Sequence, residues 1–307
     1  KSPAIWTPAA FGSNLKLWLE SGYGMYGVNG LPPNSGTELG IWTDKSKVGG
    51  NNARGSITTA VVDGNVEEDT EINIAEVNSN IYIGMYVTGL GIETTPRVSN
   101  VDGVTITLDS TVTVEEGVTV TFTMHGFAWT ISGDARYLSS SGTQIMQLPQ
   151  FNIGGSTEFS LSFGIYFKNG TTINNADVFV NDQDTTSNDF WRIQNTTSLR
   201  AKIGGAATTF TINSATPGTS SGTLQDETWY NIIWTRNASN ENRLWINNLK
   251  HGPNTRGGTF DFDRIVAGNG AIISAVIMTQ GEAIGDNEYV ISKINSYLDR
   301  INKATRL

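Results

Sequence analysis

"FSLSFGIYF" (Phe159–Phe167) alternates without a break, with Phe159, Leu161, Phe163, Ile165 and Phe167 at every second position. Side chains of a strand point to opposite faces in turn, so these five large apolar groups lie on one face and need a second layer to cover them. The stretch is therefore predicted to be a core strand of a layered β protein. Moving outward, "WYNIIWTR" (Trp229–Arg236) and "NRLWINN" (Asn242–Asn248) carry similar apolar content and are separated by the polar "NASNE". That separation is of hairpin length and predicts two paired neighbours. Short alternating runs between turns rich in Gly, Asn, Ser and Thr recur along the chain, the pattern of an all-β sandwich.

One segment follows its own rhythm. From Ile57 to Met124 the strands are short and turn signals dense. "RVSNVDGVTITL" reads as a hairpin in which Asp102-Gly103 supplies positive φ angles, with Val104, Ile106 and Leu108 on one face. "GVTVTFTM" sends Val118, Val120, Phe122 and Met124 inward and Thr119, Thr121 and Thr123 outward. The expected organisation is a discontinuous sandwich, 1–55 plus 126–307, interrupted by a small β module at 56–125. One helix closes the chain, at about 286–303 in "DNEYVISKINSYLDRINKA". Tyr289, Ile291, Ile294, Tyr297, Leu298 and Ile301 recur at helical spacing, with Asp286 as cap and Lys293, Arg300 and Lys303 toward the end.

Composition narrows the chemistry. The 307 residues contain no cysteine, so disulfides and thiol nucleophiles are excluded, and the two histidines, His125 and His251, lie in no nucleophile-elbow pattern. A formal charge of −9, with no cluster of Lys and Arg, predicts no nucleic-acid partner. The longest apolar run, "GAIISAVIM" from Gly270, is too short to span a bilayer, and "KSPAIWTPAA" lacks a basic-then-apolar signal pattern, so no membrane partner is expected. Whether residues precede Lys1 is left open.

Four motifs carry chemical content. "GYGMYG" (Gly22, Gly24, Gly27) matches a dinucleotide-binding glycine pattern, with Asp44 downstream. Gly30, Pro32 and Pro33 forbid the helix that mechanism requires. "VEEDTE" places Glu67, Asp69 and Glu71 at alternate positions, as a glucanase strand would. Its intervening Glu68 and Thr70 cannot supply the apolar surroundings that raise a carboxylic acid's pKa, so it is read as a solvated turn or edge strand and no catalytic residue is assigned. "NDQDTTSND" gathers Asp182, Asp184 and Asp189. With Ser187 and Ile193 at the positions where an EF-hand needs Gly and Glu, the reading is no metal and no cofactor, calcium being the alternative. In "TFDFD" the acids are explained by Phe260 and Phe262 facing inward. Trp18, Trp42, Trp229 and Trp245 sit in apolar patterns and are assigned to the core, whereas Trp191, bordering the acidic loop, joins Asp182, Asp184 and Asp189 as a candidate ligand-binding residue with a sugar-stacking ring.

In order along the chain, "LKLWLESG" (Leu15–Gly22), "IWTDKSKVGGNNA" (Ile41–Ala53), "YLSSSG", "FSLSFGIYF", "DFWRI", "ETWYNIIWTR", "NRLWINN" and "EYVISKINSYLDRI" resemble concanavalin A-like (laminin G-type) jelly rolls of the kind found in bacteriophage virion proteins. Glu20 stands where that family has Asp, and "NRLWINN" resembles the strand that leads into its Asn-Gly turn. The resemblance implies a jelly-roll β-sandwich, and a non-enzymatic structural protein on the virion surface, assembled in the host cytoplasm. Head decoration on the particle exterior is the first expectation. It brings capsid or tail subunits as partners and a symmetric homo-oligomer, a trimer being the first choice. The alternative is a lectin-like receptor-binding module on a tail or surface appendage, with a host glycan as partner.

Overall fold

The computed structural model describes residues 6–21, 23, 25–27, 39–46, 51–55, 57–124, 128–132, 135–139, 145–155, 157–168, 170, 173–181, 189–212, 222–266, 271–281, 284 and 287–304. After a 3-10 turn at Pro8–Asn14 come β1 (Leu15–Glu20), β2 (Met25–Gly27), β3 (Leu39–Trp42) and β4 (Ala53–Arg54). Six strands follow within a short span: β5 (Ile57–Val61), β6 (Val66–Asn73), β7 (Tyr86–Thr88), β8 (Val98–Asp102), β9 (Thr105–Val114) and β10 (Thr119–Thr123). The next group is β11 (Ala128–Ser132), β12 (Ala135–Ser139), β13 (Ile145–Ile153), β14 (Phe159–Phe167), β15 (Ala176–Val180), β16 (Phe190–Asn195), β17 (Ser198–Ile203) and β18 (Ala206–Thr211). The last strands are β19 (Trp229–Arg236), β20 (Glu241–Ile246), β21 (Leu249–Thr255), β22 (Phe260–Val266) and β23 (Ala271–Gln280), and α1 (Glu288–Ala304) ends the chain.

Two antiparallel sheets make a jelly-roll sandwich. The back sheet runs β11-β12-β23-β14-β19-β20-β21, with β1 also on β23; the front sheet runs β18-β17-β16-β15-β22-β13-β4-β3-β2. The alternating residues of β14 all enter the main core between the sheets. Phe159 packs edge-on against Trp234 at 4.7 Å and Phe163 against Trp191 at 5.0 Å. Arg236, 1% exposed, ties the loops at one rim by donating to the carbonyls of Ile153, Gly154, Thr157 and Gly258.

The other face of β14 is covered by α1, which packs on β14, β19 and β23. Gly164 is required there, because a Cβ would lie 2.3 Å from Ser274 Oγ and 2.4 Å from Asn302 Oδ1. Asn302 also donates to Asn231 Oδ1 at 2.7 Å, and Asn231 donates to Asp299 Oδ1 at 2.7 Å, so a buried polar chain fixes the helix on the sheet. Asn287 caps α1, its Oδ1 accepting from the Val290 N–H at 3.2 Å, while the expected cap Asp286 lies outside the described residues.

The N-terminal motifs become structural brackets. Asp44 Oδ1 accepts from the N–H groups of Trp18 and Ser46 at 2.9 and 2.8 Å, pinning the loop after β3 to β1. Glu20 pairs with Lys45 at 2.9 Å and accepts from the Tyr297 hydroxyl, which itself accepts from Trp18 Nε1 at 2.8 Å. In "GYGMYG", Gly22 and Gly24 lie outside the described residues, and Met25–Gly27 is the strand β2 rather than a helix start.

Two three-stranded sheets, β5-β10-β7 and β6-β9-β8, take all their strands from Ile57–Thr123 and enclose a separate apolar cluster that includes Val62, Ile72, Met85, Val87, Ile106 and Phe122. Bridges Val62↔Ile74 and Tyr86↔Arg97 tie the two sheets together. The hairpin turn falls one residue later than expected: Asp102 pairs with Thr105, the positive φ belongs to Gly103 alone, and Val104 is an exposed turn residue. Val118, Val120, Phe122 and Met124 point inward as their alternation predicts. The segment meets the sandwich through Arg264 of β22, fully buried, whose guanidinium donates to Ile83 O and to Gln147 Oε1, and through Ile145, which packs on its core.

Candidate functional site

Strand β16 decides which side chains reach the surface. Its burial alternates, with Trp191 and Ile193 inward and Phe190, Arg192 and Gln194 outward and half-buried. Trp191 is 0% exposed and wedged against Phe163. Its expected sugar-stacking role is thereby corrected: a ring enclosed by the core offers no face to a ligand. The ring that reaches the surface is its neighbour, Phe190. The signal was present in "DFWRI", where Trp191 shares parity with Ile193 and Phe190 with Arg192.

Across the ladder Phe190 is opposite Lys202 and Val180, and Arg192 is opposite Arg200 and Asp177. The outer face of β15–β17 therefore carries an aromatic ring, three cations, a carboxylate and the Gln194 amide. Arg192 lies over the Phe190 ring with its guanidinium carbon 3.7 Å from the centroid, and its Nε donates to Asp177 Oδ1 at 2.7 Å. Stacking and ion pair together fix the guanidinium plane, which pre-orients its remaining N–H groups. Gln194 Nε2 donates to Asn175 Oδ1 at 2.6 Å. In the register row of Phe190, Val180 pairs next with Arg264, the residue covered by the 57–124 segment, so that segment borders the face on one side.

Asp182 and Asp184 lie outside the described residues. Asp189 is 1% exposed and accepts from the N–H groups of Gly204, Gly205 and Asp261 at 3.2, 3.3 and 3.2 Å. It braces three backbone segments beside the face, and burial raises its carboxyl above the usual range. Among the described residues no group of three or more His, Asp and Glu side chains could hold a metal. Asp263 is buried beside Arg264 at 3.7 Å, so only Asp261 of the "TFDFD" acids approaches the surface. Trp229 is also corrected: it is half-buried, tilted against Tyr166 at 5.4 Å over Ile272.

The other candidates offer less. "VEEDTE" forms β6, an edge strand whose register shifts twice around Asp69. Glu67, Glu68, Asp69 and Glu71 are all exposed, and none faces a core. Two clefts open on the 57–124 segment, about 620 Å³ between β5 and residues 75–80 and about 480 Å³ beside β9, and neither is lined by an aromatic ring. His251, 5% exposed, is buried, and burial lowers its pKa. No described helix is long and apolar enough to cross a membrane.

No protein-family model matches the sequence, and no curated protein matches it. Likenesses occur among solved structures. The carbohydrate-binding module CBM66 from Bacillus subtilis overlaps 50% of this chain and 92% of its own, at 11% identity and a TM-score of 0.34. Domain 4 of AbnA, a GH43 extracellular arabinanase from Geobacillus stearothermophilus in complex with arabinotriose, overlaps 59% and 82%, at 13% identity and 0.37. The binding domain of botulinum neurotoxin serotype D overlaps 94% and 53%, at 13% identity and 0.43, so this chain spans about half of that one. The architecture rests on the strand order and register given above.

Proposed function

We propose that the chain is a non-catalytic binding module that recognises a carbohydrate on the outer face of β15–β17. The observation that carries this reading is the Arg192 guanidinium held over the Phe190 ring, 3.7 Å from its centroid, and anchored by Asp177, with Gln194 and Arg200 beside it. A fixed plane edged by N–H donors and backed by an aromatic ring suits a sugar, which presents hydroxyl acceptors around an apolar ring face. The acids of β6 are exposed and lack the apolar surroundings that raise a carboxyl's pKa for proton donation, which supports binding rather than glycoside hydrolysis. The module works without a cofactor in this reading.

Display on a phage particle is part of the proposal and is supported by the order of the resembling motifs. As one copy in a symmetric assembly of virion subunits, a weak sugar contact gains strength through avidity. Of the two roles expected from the sequence, receptor binding is preferred to exterior head decoration because a decoration protein has no need of an ordered polar platform beside a half-buried surface ring. Screening the purified protein against an oligosaccharide array tests the reading. Retention of a defined glycan family, lost in Phe190→Ala with unchanged melting temperature, is expected. Retention that persists in that variant would move the site elsewhere, and no retention would leave the decoration role standing.

A further inference from the structure

We propose that the sugar recognised on this face is acidic, with its carboxylate or sulfate seated between Arg192 and Arg200. The inference rests on the carbohydrate-binding reading above. Arg192 and Arg200 are directly opposed across the β16–β17 ladder. Like charges at opposed positions repel, so such a pair persists where neighbouring anions offset it. Here Asp177 pairs with Arg192 at 2.7 Å, and no described acidic group pairs with Arg200. Arg200 Nε is instead shut off from water with no hydrogen-bond partner. Lys202, one position along the same face, adds a third cation, and its charge also acts on the buried Asp189.

A second orphan lies in the same patch. Gln194 Oε1 is enclosed with no donor, although its Nε2 is engaged by Asn175. Buried polar atoms in folded proteins are nearly always paired, and these two, enclosed as they are, lie out of a ligand's reach, so what the face offers outward is the Nη groups of its opposed arginines. The missing charge is negative, because among the described residues of this face three cations stand against one surface carboxylate, in a protein whose formal charge is −9. That same overall charge disfavours nucleic acid as the source of the anion, since the rest of the surface repels a long phosphate backbone. An acidic sugar brings one localised anion, which the outward Nη groups of the two guanidinium forks can grip with charge-assisted hydrogen bonds.

The test is an array of matched oligosaccharides in neutral, carboxylated and sulfated forms, probed with the full chain and with Arg200→Gln, Arg200→Lys and Arg192→Gln, each checked for an unchanged melting temperature. Retention of acidic members over their neutral parents is expected. Arg200→Gln should weaken binding roughly tenfold or more, and Arg200→Lys should restore part of it, since charge returns without the fork. Preference for the carboxylated or the sulfated arm identifies the anion. Equal retention of neutral parents, unaffected by Arg200→Gln but abolished by Phe190→Ala, would overturn the acidic assignment and leave the carbohydrate reading intact. Absence of any retained glycan removes both. Polyglutamate or an oligothymidylate binding as tightly as the acidic sugars, with the same dependence on Arg200, would also overturn the proposal, by showing an unselective anion surface.

Discussion

At the scale of single residues, neighbouring aromatics in β16 have opposite duties. Trp191 fills the core and Phe190 supports Arg192 on the surface. Trp191→Ala should cost about 3–5 kcal/mol in urea unfolding, the range for emptying a large core site, while Phe190→Ala should cost about 1 kcal/mol or less. Comparable losses for the two would contradict the assignment of faces. The site was only partly legible: the sequence drew attention to "DFWRI" and its acidic loop, yet a tryptophan attracts a ligand-stacking reading that its parity with Ile193 argues against. Asp189 reads as a loop acid, because nothing in its spacing reveals that the backbones of β22 and the β17–β18 turn converge on it. Two buried groups give opposite pH signatures. His251 has its folded pKa lowered below 6.5 by burial, so the unfolded chain binds the proton more readily and stability falls as pH drops below that value. Asp189 has its folded pKa raised above 3.8, so the folded chain binds the proton more readily and this group's contribution rises on acidification. His251→Gln should therefore flatten the stability profile below pH 6.5, and Asp189→Asn should steepen the fall at lower pH, both measured by denaturant titration across a pH series.

Among the elements, α1 and its docking show how much a pattern can say. Its existence and apolar face follow from the spacing of Ile291, Ile294, Leu298 and Ile301. Its fixed position depends on polar contacts spread over much of the chain: Trp18 to Tyr297, Tyr297 to Glu20, Asn302 to Ser274 over Gly164. No local window contains both ends of such a contact. Tyr297→Phe leaves Trp18 Nε1 without its acceptor and Glu20 with Lys45 as its remaining donor, and should lower stability by about 1–3 kcal/mol in urea. Little change would mean that the Trp18–Tyr297–Glu20 contacts do not help to hold the helix. The turn from β20 to β21 was legible as a turn, and Asn247 and Asn248, with φ of 47° and 73°, supply the left-handed backbone that an Asn-Gly pair would otherwise provide.

On the scale of the whole molecule, the all-β sandwich and its closing helix were legible, because hydrophobic alternation and turn chemistry act locally and add up, whereas the division of strands between the two sheets was not. The seam between segment and sandwich was not legible. Arg264 in "FDFDRIV" shares the parity of Phe260 and Phe262, and nothing in that window reveals that the carbonyl of Ile83 accepts from it. We propose that 57–124 folds as a module of its own. A chain lacking residues 56–124, bridged by a short Gly/Ser linker, should still melt in one cooperative transition, at a lower temperature because Arg264 loses an acceptor and Ile145 its cover. Arg264→Met in that shortened chain should recover part of the loss. A broad, non-cooperative melt would show that sandwich and segment fold as one. The central claim concerns what the assembled surface does, and saturation-transfer difference NMR of the full chain with an acidic oligosaccharide tests it most directly, since one spectrum series reports both contact and cleavage. Transfer to the sugar that disappears in Phe190→Ala and weakens in Arg200→Gln, with the sugar's own resonances unchanged over days, is the predicted result. Growth of hydrolysis products, or transfer indifferent to both substitutions, would contradict a non-catalytic binding face on β15–β17.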